Sequence, residues 1–387
     1  MLNFKYSIPT EIYFGKRQIK NLSSGIKKFG STVLLAYGGG SIKKNGIYDE
    51  IIKIFSDNNI KFIELNGIEP NPKLTSVIKG VDLCRNNNVD IILAVGGGSV
   101  IDCCKAIAAG VYYDGSPWDF CIGKAIIKKA LPIGTILTLS ATGSEMNGNA
   151  VISNWSTKEK LSLSSPYVKP KFSILDPTYT MTLPAKQTAA GTVDIISHVF
   201  EQYFSNTEGT YITDRISEAI IKTCIHNAPI AMENGNNYDA RANLMWASSL
   251  ALNELLSYGK VTDWATHAME HELSAIFDIT HGIGLGILIP HWMEYVLDEK
   301  NAWKFAEYGK HVWGIADIEN KLSMAKESIK KTSDFFVSLG IPKNLYQVSI
   351  TKNKLEEMAS KAVSRGPIGN FKKLYKEDVL AIFKKAF

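Results

Sequence analysis

Four of the chain's seven histidines, His198, His267, His271 and His281, fall together with Asp194 between residues 194 and 281. Asp194 and His198 stand four apart in AAGTVDIISHVFEQYF, where Val193, Ile196, Val199, Phe200 and Tyr203 recur with a helical period. Both polar groups therefore project from one face of a largely apolar helix. His267 and His271 repeat the spacing in TDWATHAMEHELSAIF, and His281 follows in THGIGLG. One carboxylate with two or three imidazoles suits Zn(II) or Fe(II), which accept mixed nitrogen and oxygen ligands, and leaves a position for a substrate oxygen. Taken singly, a histidine on an apolar helix is more often a hydrogen-bonded core residue. Two such pairs and a fifth polar group shift the balance, because several unpaired polar groups on apolar faces would each be costly. The residues after His271 are Glu272, Leu273, Ser274 and Ala275, so HExxH is absent and a thermolysin-like protease is not supported.

These groups need elements to position them. Up to about residue 180, short apolar strands at 32–37, 61–65, 90–95, 132–137 and 172–176 alternate with helical patterns at 19–29, 47–57, 74–87 and 100–111. Strands such as DIILAV, apolar on both faces, predict a parallel sheet covered by helices. After Leu183 helical periods dominate, and the switch at LDPTYTMTLPAK, with Pro177 and Pro184, marks a boundary. The expectation is an α/β domain over 1–181 and an all-α domain over 182–387.

Two glycine-rich turns interrupt the α/β half. VGGGSVID (95–102) leaves a strand and opens a helix, so Gly96, Gly97 and Gly98 could let the backbone approach a phosphate while Ser99 and the first helical amides donate to it. It is not GxGxxG, and a purely structural turn stands as the alternative. The second turn, YGGGSIKKNG (37–46), lies where NAD-binding folds place an acidic residue on the ribose; Gly38, Gly39 and Gly40 occupy it instead, with Ser41, Lys43 and Lys44 close by. A 2′-phosphate is tolerable there, and NADP(H) is expected to be preferred over NAD(H). TLSATGSEMN (138–147) offers Thr138, Ser140, Thr142 and Ser144 to a phosphate or a carboxamide, or else is a loop of capping residues.

Composition narrows the classes. The chain has 43 basic and 38 acidic residues, no charge block and no apolar run long enough to span a bilayer, so neither nucleic acid nor membrane is indicated as a partner. Five cysteines, including the adjacent Cys103 and Cys104, show no disulfide framework, and the amino terminus shows no signal pattern, so a cytoplasmic location is expected.

VGGGSVID, TLSATGSE, AGTVDIISHVFEQY and DWATHAMEHELSAIFDITHG, in this order, resemble the iron-containing alcohol dehydrogenases, and within them the branch of butanol dehydrogenases and NADPH-dependent aldehyde reductases. The resemblance runs from PTEIYFGK (9–16) to GNFKKLYKEDVLAIF (369–383). It implies a dehydroquinate synthase-like fold, with an amino-terminal Rossmann-like parallel-sheet domain for the cofactor and a carboxy-terminal helical metal-binding domain. It implies Asp194, His198, His267 and His281 as ligands of one divalent metal, Fe(II) usually and Zn in some relatives, with His271 beside it. On the cofactor side it implies Gly97, Gly98 and Ser99 at the pyrophosphate with Asp102 behind them. Thr138, Thr142, Asn149 and Lys160 would line the nicotinamide and its ribose, Asn71 the adenosine half, and Gly39, Gly40 and Ser41 the 2′-phosphate. The implied reaction is reversible hydride transfer between NAD(P)(H) and a primary alcohol or aldehyde such as butanol or butanal, in a homodimer. His271 is expected as a proton relay, or as a group that only orients its neighbours. Two rivals remain on the residues alone: a metal-dependent hydrolase or lyase on the same scaffold, and a non-catalytic metal- or nucleotide-binding protein.

Overall fold

The computed structural model describes residues 1–387. Its strands are β1 (Glu11–Phe14), β2 (Thr32–Tyr37), β3 (Lys61–Leu65), β4 (Ile91–Gly96), β5 (Ile133–Leu137), β6 (Asn149–Asn154), β7 (Glu159–Ser164) and β8 (Phe172–Leu175). Helices in the same part of the chain are α1 (Leu22–Lys27), α2 (Ser41–Lys44), α3 (Ile47–Asp57), α4 (Leu74–Asn86), α5 (Gly98–Gly110) and α6 (Trp118–Cys121). There follow α7 (Ala185–Tyr203), α8 (Tyr211–Glu233), α9 (Tyr238–Ala251), α10 (Ala265–Phe277), α11 (His281–Val296), α12 (Ala302–Trp313), α13 (Lys321–Ser338), α14 (Leu355–Ala362) and α15 (Lys376–Ala386).

Two compact units result: Ser7–Leu183 with Asn234–Asn253, and Met1–Tyr6 with Pro184–Glu233 and Glu254–Phe387. A single cut after residue 181 does not describe this division, because α9 belongs with the sheet. There Ser249 Oγ donates to Glu145 Oε1 (2.5 Å) and Leu252 O accepts from Asn147 Nδ2 (3.1 Å). Helical period tells that α9 is a helix and nothing about which body it covers.

The sheet runs β1-β8-β5-β4-β2-β3, with every pair parallel. Alternation along the strands splits their side chains between two cores. Leu34, Ala36, Ile92 and Ala94 join Val77 and Val81 of α4 and Ile101 and Ile107 of α5. Val33, Leu35, Leu93 and Val95 join Leu22 and Ile26 of α1 and Ile51 and Phe55 of α3. Helices thus cover both faces, which is why β2 and β4 are apolar throughout. β1 and the antiparallel β6–β7 hairpin escaped the sequence reading; the half-exposed EIYF and the polar NAVISN and EKLSLS carry weak strand signals.

In the other unit α7 is enclosed, with every residue from Thr188 to Tyr203 buried. It packs against α8 and α11. A helix buried all round carries its polar groups into the interior, where each needs a partner. Ser197 Oγ donates to Asp194 O (2.7 Å) and Gln202 Nε2 to His198 O (2.6 Å). Asp194, His198 and Glu201 are committed elsewhere.

Candidate metal centre and cofactor turns

Three elements meet at the metal candidates. α7 presents Asp194, His198 and Glu201 on one face, α10 presents His267, Glu270 and His271, and α11 begins at His281. Gly282 explains the last placement. A Cβ there would stand 2.0 Å from Ala190 O, so only glycine lets the first turn of α11 press onto α7 and bring His281 to Asp194.

Ligand atoms of Asp194, His267 and His281 lie within 4.8 Å of one another. Asp194 Oδ1 is 3.7 Å from His281 Nε2 and 3.6 Å from His198 Nδ1. The rings of His198 and His267 are 4.7 Å apart, and those of His267 and His281 5.3 Å. Ligands about 2.1 Å from a tetrahedral metal stand roughly 3.4 Å apart, so Asp194, His267 and His281 need a contraction to seat an ion, and His198 stands outside that mutually close group. His271 lies at the edge, its ring 5.8 Å from that of His281. Glu270, His271 and His281 form a second group whose ligand atoms lie within the same 4.8 Å.

The donor chemistry fits a dication. His198 Nδ1 and His267 Nε2 are buried without a hydrogen-bond partner. Each such atom costs about 1–3 kcal/mol unless something accepts its lone pair or proton. Burial, and then the neighbouring His267 and His281, push His198 well below the ordinary imidazole value. It is held neutral, as a metal ligand must be.

Two carboxylates that the sequence reading passed over orient two of the candidate ligands. Glu201 Oε1 accepts from His267 Nδ1 (2.8 Å), His267 N (3.0 Å) and Thr266 Oγ1 (2.5 Å), while Oε2 accepts from Trp264 N (2.6 Å). Glu270 takes His281 Nδ1 and Ser274 Oγ. With Nδ1–H donated to a carboxylate in both rings, Nε2 is the nitrogen left to act as an acceptor, and that of His281 lies 3.7 Å from Asp194 Oδ1. Their spacing was a usable signal: Glu201 follows His198 by three residues and Glu270 follows His267 by three, on the same helical faces. Trp264, at φ 68° before α10, sets its ring 5.2 Å from that of His267.

In the sheet unit the two glycine turns leave the carboxyl ends of β2 and β4. These are adjacent strands with Tyr37 opposite Val95, and from β2 the chain crosses outward to β3 before returning to β4 on the other side. Such a reversal is where open α/β sheets bind ligands. β5 delivers the third loop, with Thr138 N donating to Gly96 O (3.0 Å). A Cβ on Gly98 would lie 2.4 Å from Thr142 Oγ1, so the two loops touch at that glycine.

Asp102 lies beneath the turn with both oxygens engaged, by Ser144 Oγ (2.6 Å) and Val151 N (2.9 Å). Lys105, fully buried, donates to Ser144 Oγ (2.8 Å), Asn147 Oδ1 (3.0 Å) and Asn149 O (2.7 Å). The lysine was missed, though a lone cation in VIDCCKAIAAGV, three residues after Asp102, was visible. Lys160 is buried on β7 opposite Ser153 of β6, and Asn71, at φ 50°, precedes the segment whose Pro72 O accepts from Ser153 N (2.9 Å). Cys103 and Cys104 are buried in α5, and burial raises both thiols.

Comparison with known proteins covers both units. A family model described as iron-containing alcohol dehydrogenase matches residues 9–177, and one for the carboxy-terminal part of Fe-containing alcohol dehydrogenases matches 188–387. NADH-dependent butanol dehydrogenase A of Clostridium acetobutylicum is 58% identical, with 100% of each chain covered. NADPH-dependent aldehyde reductase YqhD of Escherichia coli is 40% identical over 95% of this chain and 94% of its own. A crystal structure titled NADH-dependent butanol dehydrogenase A, from Thermotoga maritima, superposes with a TM-score of 0.96 at 39% identity, covering 100% of this chain and 99% of that one.

Proposed function

The chain belongs to the family of iron-containing alcohol dehydrogenases, and from that premise we propose that it interconverts primary alcohols and aldehydes such as butanol and butanal. It is an NAD(P)-dependent oxidoreductase of dehydroquinate synthase-like fold. The observation that carries the metal assignment is the convergence of Asp194, His267 and His281 beside two buried imidazole nitrogens without partners.

Asp194, His198, His267 and His281 would hold one divalent metal, Fe(II) in our reading, with Zn(II) compatible with the same donors. Bound there, the metal supplies Lewis acidity toward a substrate oxygen, and the nicotinamide gives or takes the hydride. Asp194 brings the negative charge of the ligand set and partly offsets a dication. Glu201 and Glu270 fix the tautomers of His267 and His281. His271, at the edge of the cluster, is assigned the proton of the alcohol hydroxyl, since an imidazole changes charge near neutral pH. Gly97, Gly98 and Ser99 would cradle the pyrophosphate with Asp102 beneath them. Thr138, Thr142, Asn149 and Lys160 would face the nicotinamide half, Asn71 the adenosine, and Gly39, Gly40 and Ser41 the ribose.

Two readings of cofactor choice meet at the end of β2. The glycine turn, which has no carboxylate of its own, favours NADP(H) over NAD(H). A specific observation favours the reverse: Lys43 lies 3.7 Å from Glu64 Oε2 and is engaged there. The relative at 58% identity is named NADH-dependent and the one at 40% NADPH-dependent. We take NADH as the stronger reading. A cytoplasmic homodimer completes the proposal, supported by five buried cysteines outside any disulfide and by the general prevalence of two-fold association.

The test mixes metal-reconstituted protein with butanal and each reduced cofactor. Absorbance of the reduced nicotinamide should fall, faster with NADH, and stop on chelation. Conversion of substrate without cofactor consumption would instead identify a hydrolase or lyase.

A further inference from the structure

We propose that Glu64 is a cofactor-selecting residue: its carboxylate occupies Lys43 beside the 38–41 turn and so disfavours a ribose 2′-phosphate. The inference rests on the oxidoreductase reading above and assigns its selectivity to one side chain.

The turn itself shows no acid, but the neighbouring strand supplies one. Glu64 stands opposite Leu35 in the β2–β3 pairing. Just beyond it, Gly67 N donates to Gly38 O (3.2 Å) and Ile68 N to Tyr37 O (3.3 Å), so the chain after Glu64 runs along the turn. Glu64 accepts from Tyr48 OH (2.5 Å) and from Tyr37 OH. Lys43 Nζ lies 3.7 Å from the same carboxylate, 4.3 Å from the Tyr48 ring centroid and 5.3 Å from that of Tyr37. The ammonium is therefore held by one anion and two aromatic faces, which attract it in the same direction. Burial pushes the Glu64 carboxyl up, but Tyr37, Tyr48 and Lys43 outweigh it and hold the group below the ordinary carboxylate value. Glu64 is thus a fixed negative charge at neutral pH.

Space does not select here. A Cβ on Gly39 or Gly40 would meet nothing within 4 Å, so the turn has room for a phosphate. Charge decides instead, and it acts twice: Glu64 repels a 2′-phosphate and withholds the lysine that would attract one. Lys43 is 46% exposed at its side chain, so its release needs no rearrangement of the core.

The experiment measures dissociation constants by calorimetry on the metal-loaded protein for NADPH, NADH, 2′,5′-ADP and ADP. Glu64→Gln should tighten NADPH and 2′,5′-ADP about fivefold and leave NADH and ADP within about twofold, as expected for one partly screened charge. Lys43→Met alone should move the NADPH-to-NADH ratio by less than about twofold, whereas in the Glu64→Gln background it should abolish the gain. An unmoved ratio in Glu64→Gln overturns the proposal. So does a fall of more than about fivefold in NADPH affinity, relative to the parent protein and with NADH unmoved, in Lys43→Met alone, and this exposed substitution decides the matter even if Glu64→Gln folds poorly. If the parent protein binds neither cofactor, the oxidoreductase reading falls and the inference with it; binding with unmoved ratios removes the inference alone.

Discussion

The metal candidates and the glycine turns are proposed to solve the same problem, holding a charged ligand, by opposite means. In the helical unit the site is made of side chains, and two of the three histidines proposed as ligands are clamped by their own buried carboxylates, Glu201 on His267 and Glu270 on His281. In the sheet unit the proposed cofactor site is made of backbone at strand ends, and side chains such as Asp102 and Lys105 tie loops together. Soft, mobile groups must be oriented by partners, whereas amides at a strand end are already fixed by the sheet. Substitutions should therefore damage the two regions in different currencies, metal retention in one and cofactor affinity in the other.

The largest separation is expected from Asp194→Asn, which removes the anionic ligand. Metal affinity, measured by competition with a chelator, should fall by more than about 100-fold, beyond the 10–100-fold typical of an outer partner, while NADH binding to the protein stays within about twofold. Unchanged metal content would remove Asp194 from the ligand set. Glu201→Gln should weaken metal binding by about 10–100-fold with all proposed ligands intact. Nitrogen NMR of the metal-free protein should show His267 losing its fixed Nδ1–H tautomer, which a general loss of stability would not produce. Gly98→Ala reverses the pattern. Its methyl would collide with Thr142 Oγ1 at 2.4 Å, so cofactor affinity should drop about tenfold, the cost of roughly 1.4 kcal/mol, with metal content unaltered.

The smallest effect concerns pH. Burial, and then the nearby Glu201 carboxylate, push Asp263 up to about 7. Its folded value lies above the unfolded one of about 4, so the folded chain keeps a proton that the unfolded chain gives up. Asp263 should therefore make stability decline as pH rises from about 4 to about 7 and level off above. Denaturant titrations should show this slope in the parent protein and a flatter one in Asp263→Asn; equal slopes would contradict it.

The same contrast explains what was legible in the sequence. Strands β2, β4, β5 and β8 announce themselves because both of their faces are buried, and the metal candidates because polar residues four apart on an apolar helix are conspicuous. Glu201 and Glu270 were equally visible at three-residue spacing but look like ordinary helix-surface acids until their burial is known. Glu64 could not be read at all. It acts on a turn more than twenty positions earlier, and only the pairing of Leu35 with Glu64 places it there. The home of α9 was hidden for a similar reason, since its contacts with Glu145 and Asn147 are tertiary.

The central claim is that one dication sits among Asp194, His198, His267 and His281. Anomalous diffraction at the iron and zinc edges, from crystals of anaerobically purified protein, tests it most directly. A single strong peak per chain bonded to those four side chains is expected, with His271 outside the coordination sphere. No peak there, or one centred on Glu270 and His271 instead, would contradict it.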